Sequence, residues 1–316
     1  MRVIRGRHNI REQDQGCVIT IGNFDGVHLG HQAVIDVARA QAMKSNAPLG
    51  ILTFEPHPRS FFAAKFNHDM LPFRLLSAEA RAHRLEKLGV KLLLELPFDQ
   101  ALCDLSDWEF SQKILSEAFG LSHVVVGADF CFGKSRQGNA ATLCDHATTL
   151  DFDVTIADQK NHNMQKISST NIRNALATAN PRGAAAMLGH WHRLEGLVTH
   201  GEKRGRELGY PTANISIDGL QPPAFGVYAV LVDVLTGPNL GTYHGATSIG
   251  VRPMFGENRP NCETFIFDFT GDLYGETVSI GLVDYLRGEE KFDGLGSLIT
   301  QMDADCTRAR NILESL

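Results

Sequence analysis

Val18-Ile19-Thr20-Ile21-Gly22-Asn23-Phe24-Asp25-Gly26-Val27-His28-Leu29-Gly30-His31 decides the fold of the first half of the chain. Cys17–Ile21 reads as a short buried strand, and His28–Lys44 reads as the helix that follows it. Gly22 and Gly26 allow a tight turn and a close approach of backbone to a ligand. His28 and His31, three apart at a helix start, face the same way. They lie beside backbone N–H groups that no helical carbonyl satisfies, at the positive end of the helix dipole, which suits phosphate oxygens. Two other readings of the pair stay open. An HxxH pair can ligate a metal, although no third ligand follows at a suitable spacing, and histidines beside a turn can be purely structural. Neither a Walker A motif nor a spaced dinucleotide-binding glycine motif is present, so P-loop and hydride-transfer readings lose support.

Outward from this stretch the same rhythm continues to about residue 180. Strand-like runs at Leu49–Phe54, Lys91–Leu96, His123–Val126 and Asp153–Ala157 alternate with helix-like stretches at Ala78–Leu88, Asp107–Phe119 and Asn139–Leu150. Ser106 with Glu109 forms a capping box, Ser77 sits one residue before its helix, and Gly89 and Gly120 are helix stops. Short apolar strands separated by helices imply parallel pairing with right-handed crossovers, hence a doubly wound sheet with ligands at the carboxyl ends of its strands.

Near Pro181 the rhythm changes. A short Ala-rich helix, Arg182–Leu188, leads into candidate strands Leu194–Thr199, Val227–Val234, Tyr243–Ile249, Glu263–Phe269 and Thr277–Val283, joined by Gly/Pro turns. That pattern predicts an antiparallel barrel or sandwich. Leu295, Leu298, Ile299, Met302, Cys306, Ala309, Ile312 and Leu313 share one helical face, so a terminal helix should pack on the sheet. The boundary falls in 181–193, giving modules 1–186 and 187–316.

Composition agrees with two globular modules. The 316 residues are 43% hydrophobic and 21% charged, enough to bury cores. Thirty basic against 36 acidic residues give −6, which argues against a general nucleic-acid surface. The N-terminal MRVIRGRHNI has no apolar run behind its arginines, and no segment approaches the roughly 20 apolar residues of a membrane span. Six scattered cysteines without a CxxC pair read as free or buried thiols. A cytoplasmic protein, monomeric or weakly homo-oligomeric, is expected.

Two further segments carry chemistry. In Lys166-Ile167-Ser168-Ser169-Thr170-Asn171-Ile172-Arg173, three hydroxyls precede a helix and Arg173 lies one turn inside it. They can donate to phosphates, with the guanidinium stabilising developing charge, or they can be plain N-caps. In Gly201-Glu202-Lys203-Arg204-Gly205-Arg206-Glu207-Leu208-Gly209-Tyr210-Pro211-Thr212-Ala213-Asn214, glycines recur every four residues among basic side chains. Such a segment can wrap phosphates or be a solvated basic hairpin. Thr212 and Asn214 offer neutral oxygens on one side of an extended chain, able to hold magnesium, though such a pair is commonly structural.

Taken in order, GNFDGVHLGHQ, TFEPHPR (53–59), VVVGADFCFG (124–133), ISSTNIR (167–173), GLVTHGEKRGRELGYPTAN, PAFGVYAV (223–230), SIGVRP (248–253), CETFIFDF (262–269), DLYG (272–275) and LRGEEKF (286–292) resemble the prokaryotic bifunctional riboflavin kinase/FMN adenylyltransferase family. The resemblance runs from about residue 17 to 310. It implies a Rossmann-like HxGH nucleotidyltransferase domain followed by a small Greek-key β-barrel with a terminal helix. It also implies phosphorylation of riboflavin to FMN in the second module and adenylylation of FMN to FAD in the first, with ATP and Mg²⁺. In the first module, Gly22, Asn23, Phe24, Asp25, Gly26, His28, Gly30 and His31 would build the ATP loop. Ser168, Ser169, Thr170 and Arg173 would close over the triphosphate, while Pro56, His57, Pro58, Asp129 and Phe132 would border the flavin. For 129–132 a buried aromatic turn is the competing reading. In the second module, Gly201, Lys203, Gly205, Arg206, Gly209 and Pro211 would surround ATP. Thr212 and Asn214 would hold the metal, and Glu263 would be the base, a strand glutamate otherwise expected at the surface.

One departure is visible: Met254 stands where the family commonly has Thr. It puts flavin-side packing in doubt, not the activity. Two alternatives compete: another HxGH nucleotidyltransferase, which leaves the PTAN barrel unexplained, and a catalytically weak flavin-binding or regulatory protein, against which both site constellations stand.

Overall fold

A computed structural model describes residues 1–7, 9–157, 167–201, 209–254 and 257–316, with backbone alone for 252–254 and 257–259. The chain divides into two compact units, residues 1–70 with 81–166, and residues 71–80 with 167–316.

The first unit is built on a parallel sheet. Its strands are β1 (Arg2–Arg5), β2 (Val18–Ile21), β3 (Leu49–Glu55), β4 (Leu92–Pro97), β5 (His123–Gly127) and, after a two-stranded ribbon of β6 (Cys131–Phe132) and β7 (Gly138–Asn139), β8 (Asp153–Ala157). The order across the sheet is β1-β4-β3-β2-β5-β8, all pairs parallel. β2 and much of β3 and β4 are buried on both faces, as their continuous apolar runs require. Around them lie α1 (Leu29–Ser45), α2 (Pro58–Lys65), α3 (Ala78–Lys87), α4 (Gln100–Asp104), α5 (Asp107–Phe110) and α6 (Ala140–Leu150). Helix α3 crosses the division between the units, which falls between Ala80 and Arg81. The capping box on α5 is present, Ser106 Oγ accepting from the Glu109 N–H at 3.1 Å and Glu109 Oε2 accepting from the Ser106 N–H at 3.0 Å. Instead of continuing as an α-helix to Phe119, the chain widens to a π-helix over Ser111–Ala118. The parallel sheet has one strand more than the five expected, β1 at its edge, and the β6–β7 ribbon is a further addition.

The doubly wound order has one consequence for function. Successive strands step from β2 to one side through β3 and β4, and to the other through β5 and β8. The order therefore reverses between β2 and β5, where ligands bind beyond the carboxyl ends in such sheets. Ile21 and Gly127 end those strands, so the Gly22–His31 loop and the Asp129 turn both begin at the reversal.

The second unit contains α7 (Ser169–Ala177), α8 (Pro181–Leu188), β9 (His192–Leu197), β10 (Thr212–Ser216), β11 (Gly226–Val234), β12 (Gly241–Met254), β13 (Glu257–Ile266), β14 (Thr277–Arg287) and α9 (Leu295–Glu314). Its antiparallel sheet runs β10-β13-β12-β11-β14-β9, and a bridge between Thr199 and Asn214 joins its two edges. Leu194, Ile215, Val230, Cys262 and Ile280 fill the interior. On the opposite face, Ala229, Ala246, Phe267 and Leu286 pack against Ala309 and Leu313 of α9. A small separate core joins Leu75 to Ile172, Leu176, Ala184 and Leu188.

Several boundaries depart from expectation. β12 and β13 form one long hairpin with Met254 paired to Glu257, reaching well beyond Tyr243–Ile249. Gly250 and Pro253 had masked its strand character. β13 stops at Ile266 rather than Phe269, and Asp268 turns out of the ladder at φ 55°. β10, expected only as an extended segment carrying Thr212 and Asn214, is a strand of the sheet. On α9, Leu295 is exposed at the helix start, and Asp305 is buried in its stead. Arg287 explains the second change, its Nε donating to both Asp305 oxygens at 3.1 and 2.9 Å.

His192 in β9 is 1% exposed, and burial pushes its imidazole down to about 3. The unfolded chain, with an ordinary histidine, takes up a proton that the folded barrel refuses. Stability is then complete above about pH 6.5 and declines as pH falls toward 3. Between pH 7 and pH 5 the second unit should lose about 2 kcal/mol. Denaturant unfolding followed by Trp191 fluorescence in a Trp108→Phe background checks this, with His192→Leu expected to flatten the dependence.

Candidate active site

The first site is a strained loop. Phe24 and Val27 adopt φ of 49° and 44°, and Gly26 adopts 86°. A β-branched residue in the left-handed region is a real outlier, of the kind that clusters at functional sites. The Phe24 ring and the Val27 methyls are buried. His28 caps α1, its Nδ1 accepting from the His31 N–H at 3.3 Å. Accepting there leaves the proton of a neutral ring on Nε2. The His28 and His31 rings stack at 3.7 Å between centroids and 13° between planes, with Phe24 tilted against His31 at 5.0 Å. Burial and the neighbouring His28 hold the His31 imidazole well below the usual histidine range. His31 is thus a neutral imidazole at pH 7.

Gly30 leaves room for that stack. A Cβ built on it would lie 3.2 Å from Cε1 and Nδ1 of His28. Asn23 Oδ1 and His31 Nδ1 are buried without a hydrogen-bond partner among the described residues. Buried polar atoms of this kind need an explanation, and a ligand is one. No group of three metal-ligating side chains occurs among the described residues.

Around the loop, His57 caps α2, its Nδ1 accepting from the Arg59 N–H at 3.1 Å, and Pro58 takes the first helical position. Phe61, Phe62 and Phe98 form an edge-to-face cluster beside that turn. After β5, Asp129 turns the chain and Phe132 enters the core, stacked under Phe130 at 5.3 Å and beside Phe110. Arg81 was missed by sequence reading. It lies 1% exposed beneath the loop, its Nη1 donating to the Asn23 carbonyl at 3.4 Å.

Ser168–Arg173 belongs to the second unit. Ser168 caps α7, its Oγ accepting from the Asn171 N–H at 3.2 Å. Arg173 Nε donates to the Phe73 carbonyl at 2.6 Å, its guanidinium lying 5.4 Å from the Phe73 ring.

The second site lies on the α9 face of the antiparallel sheet. Thr212 and Asn214 project from alternate positions of β10, and Asn214 is directly opposite Glu263, which is opposite Ser248. Directly paired residues share a face, so Asn214, Glu263 and Ser248 form one row. Ala213, Ile215 and Cys262 point inward to the core. Asn214 Nδ2 donates to the Thr212 carbonyl at 3.1 Å and to Thr212 Oγ1 at 3.2 Å. Its Oδ1 is buried without a partner among the described residues. Asn261 Nδ2 donates to Glu263 Oε1 at 3.1 Å, orienting the carboxylate. Gly201 lies against the Asn214 amide, where a Cβ would stand 2.8–2.9 Å from its atoms. Tyr210 anchors the following segment, edge-on to Phe265 at 5.1 Å with its hydroxyl bonded to Asp303. Gly209 turns at φ 86°. Lys203, Gly205 and Arg206 lie outside the described residues, as does the Met254 side chain.

A doubly wound unit with an HxGH loop at its strand-order reversal, followed by an antiparallel barrel with Asn214 opposite Glu263, fits a class of two-domain phosphate-transfer enzymes. The FAD synthetase family model matches residues 10–171 and the riboflavin kinase model matches 188–313. The bifunctional riboflavin kinase/FMN adenylyltransferase of Pseudomonas fluorescens is 39% identical over 98% of this chain and 97% of its own length. That of Haemophilus influenzae is 36% identical over the whole of both chains. A crystal structure described as a macrolide-efflux protein from Streptococcus pneumoniae aligns at 32% identity with a TM-score of 0.83, covering 98% of this chain and 99% of that one. The chain belongs to the bifunctional riboflavin kinase/FMN adenylyltransferase family. Among the described residues no helix is long and apolar enough to cross a membrane.

Proposed function

We propose that riboflavin is phosphorylated on the α9 face of the barrel and that FMN is adenylylated at the Gly22–His31 loop, with the work divided between residues 1–186 and 187–316. The observation that carries this reading is the coincidence of the HxGH loop with the strand-order reversal of the sheet, together with the Asn214–Glu263 pairing in the barrel.

In the first reaction an FMN phosphate oxygen attacks the α-phosphorus of ATP, and pyrophosphate departs. The nucleophile is already anionic, so alignment and charge stabilisation dominate and no strong base is needed. Donors from His28, His31 and the α1 start hold phosphate oxygens, and Ser168, Ser169, Thr170 and Arg173 are assigned to the triphosphate. Pro56, His57, Pro58, Asp129 and Phe132 are assigned to the flavin border.

In the second reaction the ribityl 5′-hydroxyl attacks the γ-phosphorus, and ADP departs. That hydroxyl carries a proton, which Glu263 accepts. The oxygen donors Thr212 Oγ1 and Asn214 Oδ1 suit a hard cation, and the Asn214 oxygen, without a partner among the described residues, fits one. Magnesium held there would supply charge neutralisation for the ATP phosphates. Gly201, Gly209 and Pro211, with Lys203, Gly205 and Arg206, form the phosphate segment. Gly201→Ala should crowd Asn214 and raise the KM for Mg-ATP in FMN formation by about tenfold while leaving FAD formation from FMN unchanged, measured by steady-state kinetics.

The chain is read as a cytoplasmic protein, monomeric or weakly self-associating. Incubation with riboflavin, ATP and Mg²⁺ followed by chromatographic separation tests the activity: FMN and then FAD should appear. Either flavin missing when its own precursor is supplied would refute the corresponding site.

A further inference from the structure

Among the described residues, Arg81 is the most deeply buried of the permanently charged side chains. Its Nη2 donates to Glu95 Oε1 at 2.9 Å and to Glu55 Oε2 at 3.2 Å, and its Nη1 donates to the Asn23 carbonyl at 3.4 Å. Thr53 Oγ1 approaches the same carbonyl at 3.5 Å, and Arg5 Nε binds the other oxygen of Glu95 at 3.2 Å. The three acceptors come from three segments: the loop after β2, the last residue of β3 and the middle of β4. Glu55 immediately precedes Pro56-His57-Pro58. One planar guanidinium therefore ties the start of the HxGH loop to the start of the neighbouring turn.

A counter-charge for Glu95 would not need this reach, because Arg5 already pairs with that carboxylate. What Arg81 alone supplies is a rigid fork spanning both segments, which the point charge of a lysine does not reproduce. The loop it grips holds Phe24 and Val27 at positive φ, conformations that persist only where the surroundings over-determine them.

We propose that Arg81 is a positioning residue for adenylyl transfer. It fixes the Asn23 carbonyl and the Glu55 carboxylate in one frame, so that ATP on the loop and flavin at the turn meet with their reacting atoms aligned. The proposal rests on the assignment of those two segments to ATP and FMN. A positioning defect lowers the rate of the bound complex more than it weakens either substrate, since small misplacements of reacting atoms are costly.

The test uses the full chain with Arg81→Lys, and separately Arg81→Met combined with Glu95→Met, which removes a buried carboxylate together with the guanidinium. FMN formation from riboflavin serves as the internal control, and Tm with near-ultraviolet circular dichroism reports folding. Arg81→Lys should keep its fold and its FMN formation, while kcat for FMN to FAD falls about 10–100-fold with each KM within about threefold. The folded double variant should show the same loss. Wild-type kcat in either folded variant would overturn the proposal, since charge balance alone would then explain Arg81. A raised KM at unchanged kcat would overturn it equally. Failure of the unmodified protein to convert supplied FMN would instead refute the loop assignment beneath it.

Discussion

Replacing His28 and His31 together by alanine stops FAD formation from FMN while FMN continues to accumulate from riboflavin. Each imidazole is held where a phosphate donor is useful. His28 is fixed by the His31 N–H at 3.3 Å, and the rings are fixed to one another by the 3.7 Å stack. Removal of a single well-placed donor to developing negative charge typically costs about 10²–10³ in rate, and two such losses put the reaction below a practical assay. Loss of the His28 cap adds about 1 kcal/mol of helix destabilisation, too little to unfold the unit. The barrel has its own core and its own constellation, so its reaction is the control within the same tube. Product chromatography after incubation with riboflavin and ATP reads both steps. Equal loss of FMN and FAD in a folded variant would contradict the assignment.

Glu263→Gln produces the reverse defect. The substitution preserves shape and the bond from Asn261, and it leaves Asn214 opposite on β10, so ATP and metal binding should survive. What disappears is the acceptor for the ribityl hydroxyl proton. General-base removal of this kind costs about 10²–10⁴-fold. FMN formation from riboflavin should fall by that factor with little change in KM, while supplied FMN is still converted to FAD. A rate within a few-fold of the unmodified protein, measured by initial velocities, would show that the hydroxyl is activated by another group.

How much of this was readable without coordinates depended on the range of the interactions involved. The HxGH loop was legible because strand, turn glycines and paired histidines are contiguous, and Gly30 has a local reason. The parallel sheet was legible from apolar runs separated by helices. β1 was not, because Arg2-Val3-Ile4-Arg5 is short and charged, and its arginines are neutralised by Asp14 and by Glu95, the latter remote in sequence and brought opposite Arg5 only by the β1–β4 pairing. β10 alternates polar and apolar residues correctly for a strand, yet it follows a basic glycine run that reads as a loop. The π-helical widening at Ser111–Ala118 leaves no mark in a 3.6-residue periodicity.

The site residues divide in the same way. Glu263 becomes informative only when the β10–β13 register brings Asn214 opposite, a pairing between residues 49 apart that local pattern cannot supply. Arg81 sits in Ala-Glu-Ala-Arg-Ala-His-Arg-Leu-Glu-Lys, where charges every few residues suggest a solvated helix face. Its burial follows from acceptors on three other segments. Leu295 and Asp305 mislead in opposite directions: an apolar helix start overhangs the sheet, and a carboxylate is buried because Arg287 meets it.

The most direct measurement mixes the two crippled proteins. Neither the His28→Ala/His31→Ala chain nor the Glu263→Gln chain should carry riboflavin through to FAD alone. Together, with ATP and Mg²⁺, they should yield FAD, since FMN released by the first is adenylylated by the second. A mixture of folded variants that produced no FAD, although each completed its remaining half-reaction from supplied substrate, would contradict two independent sites joined by free FMN.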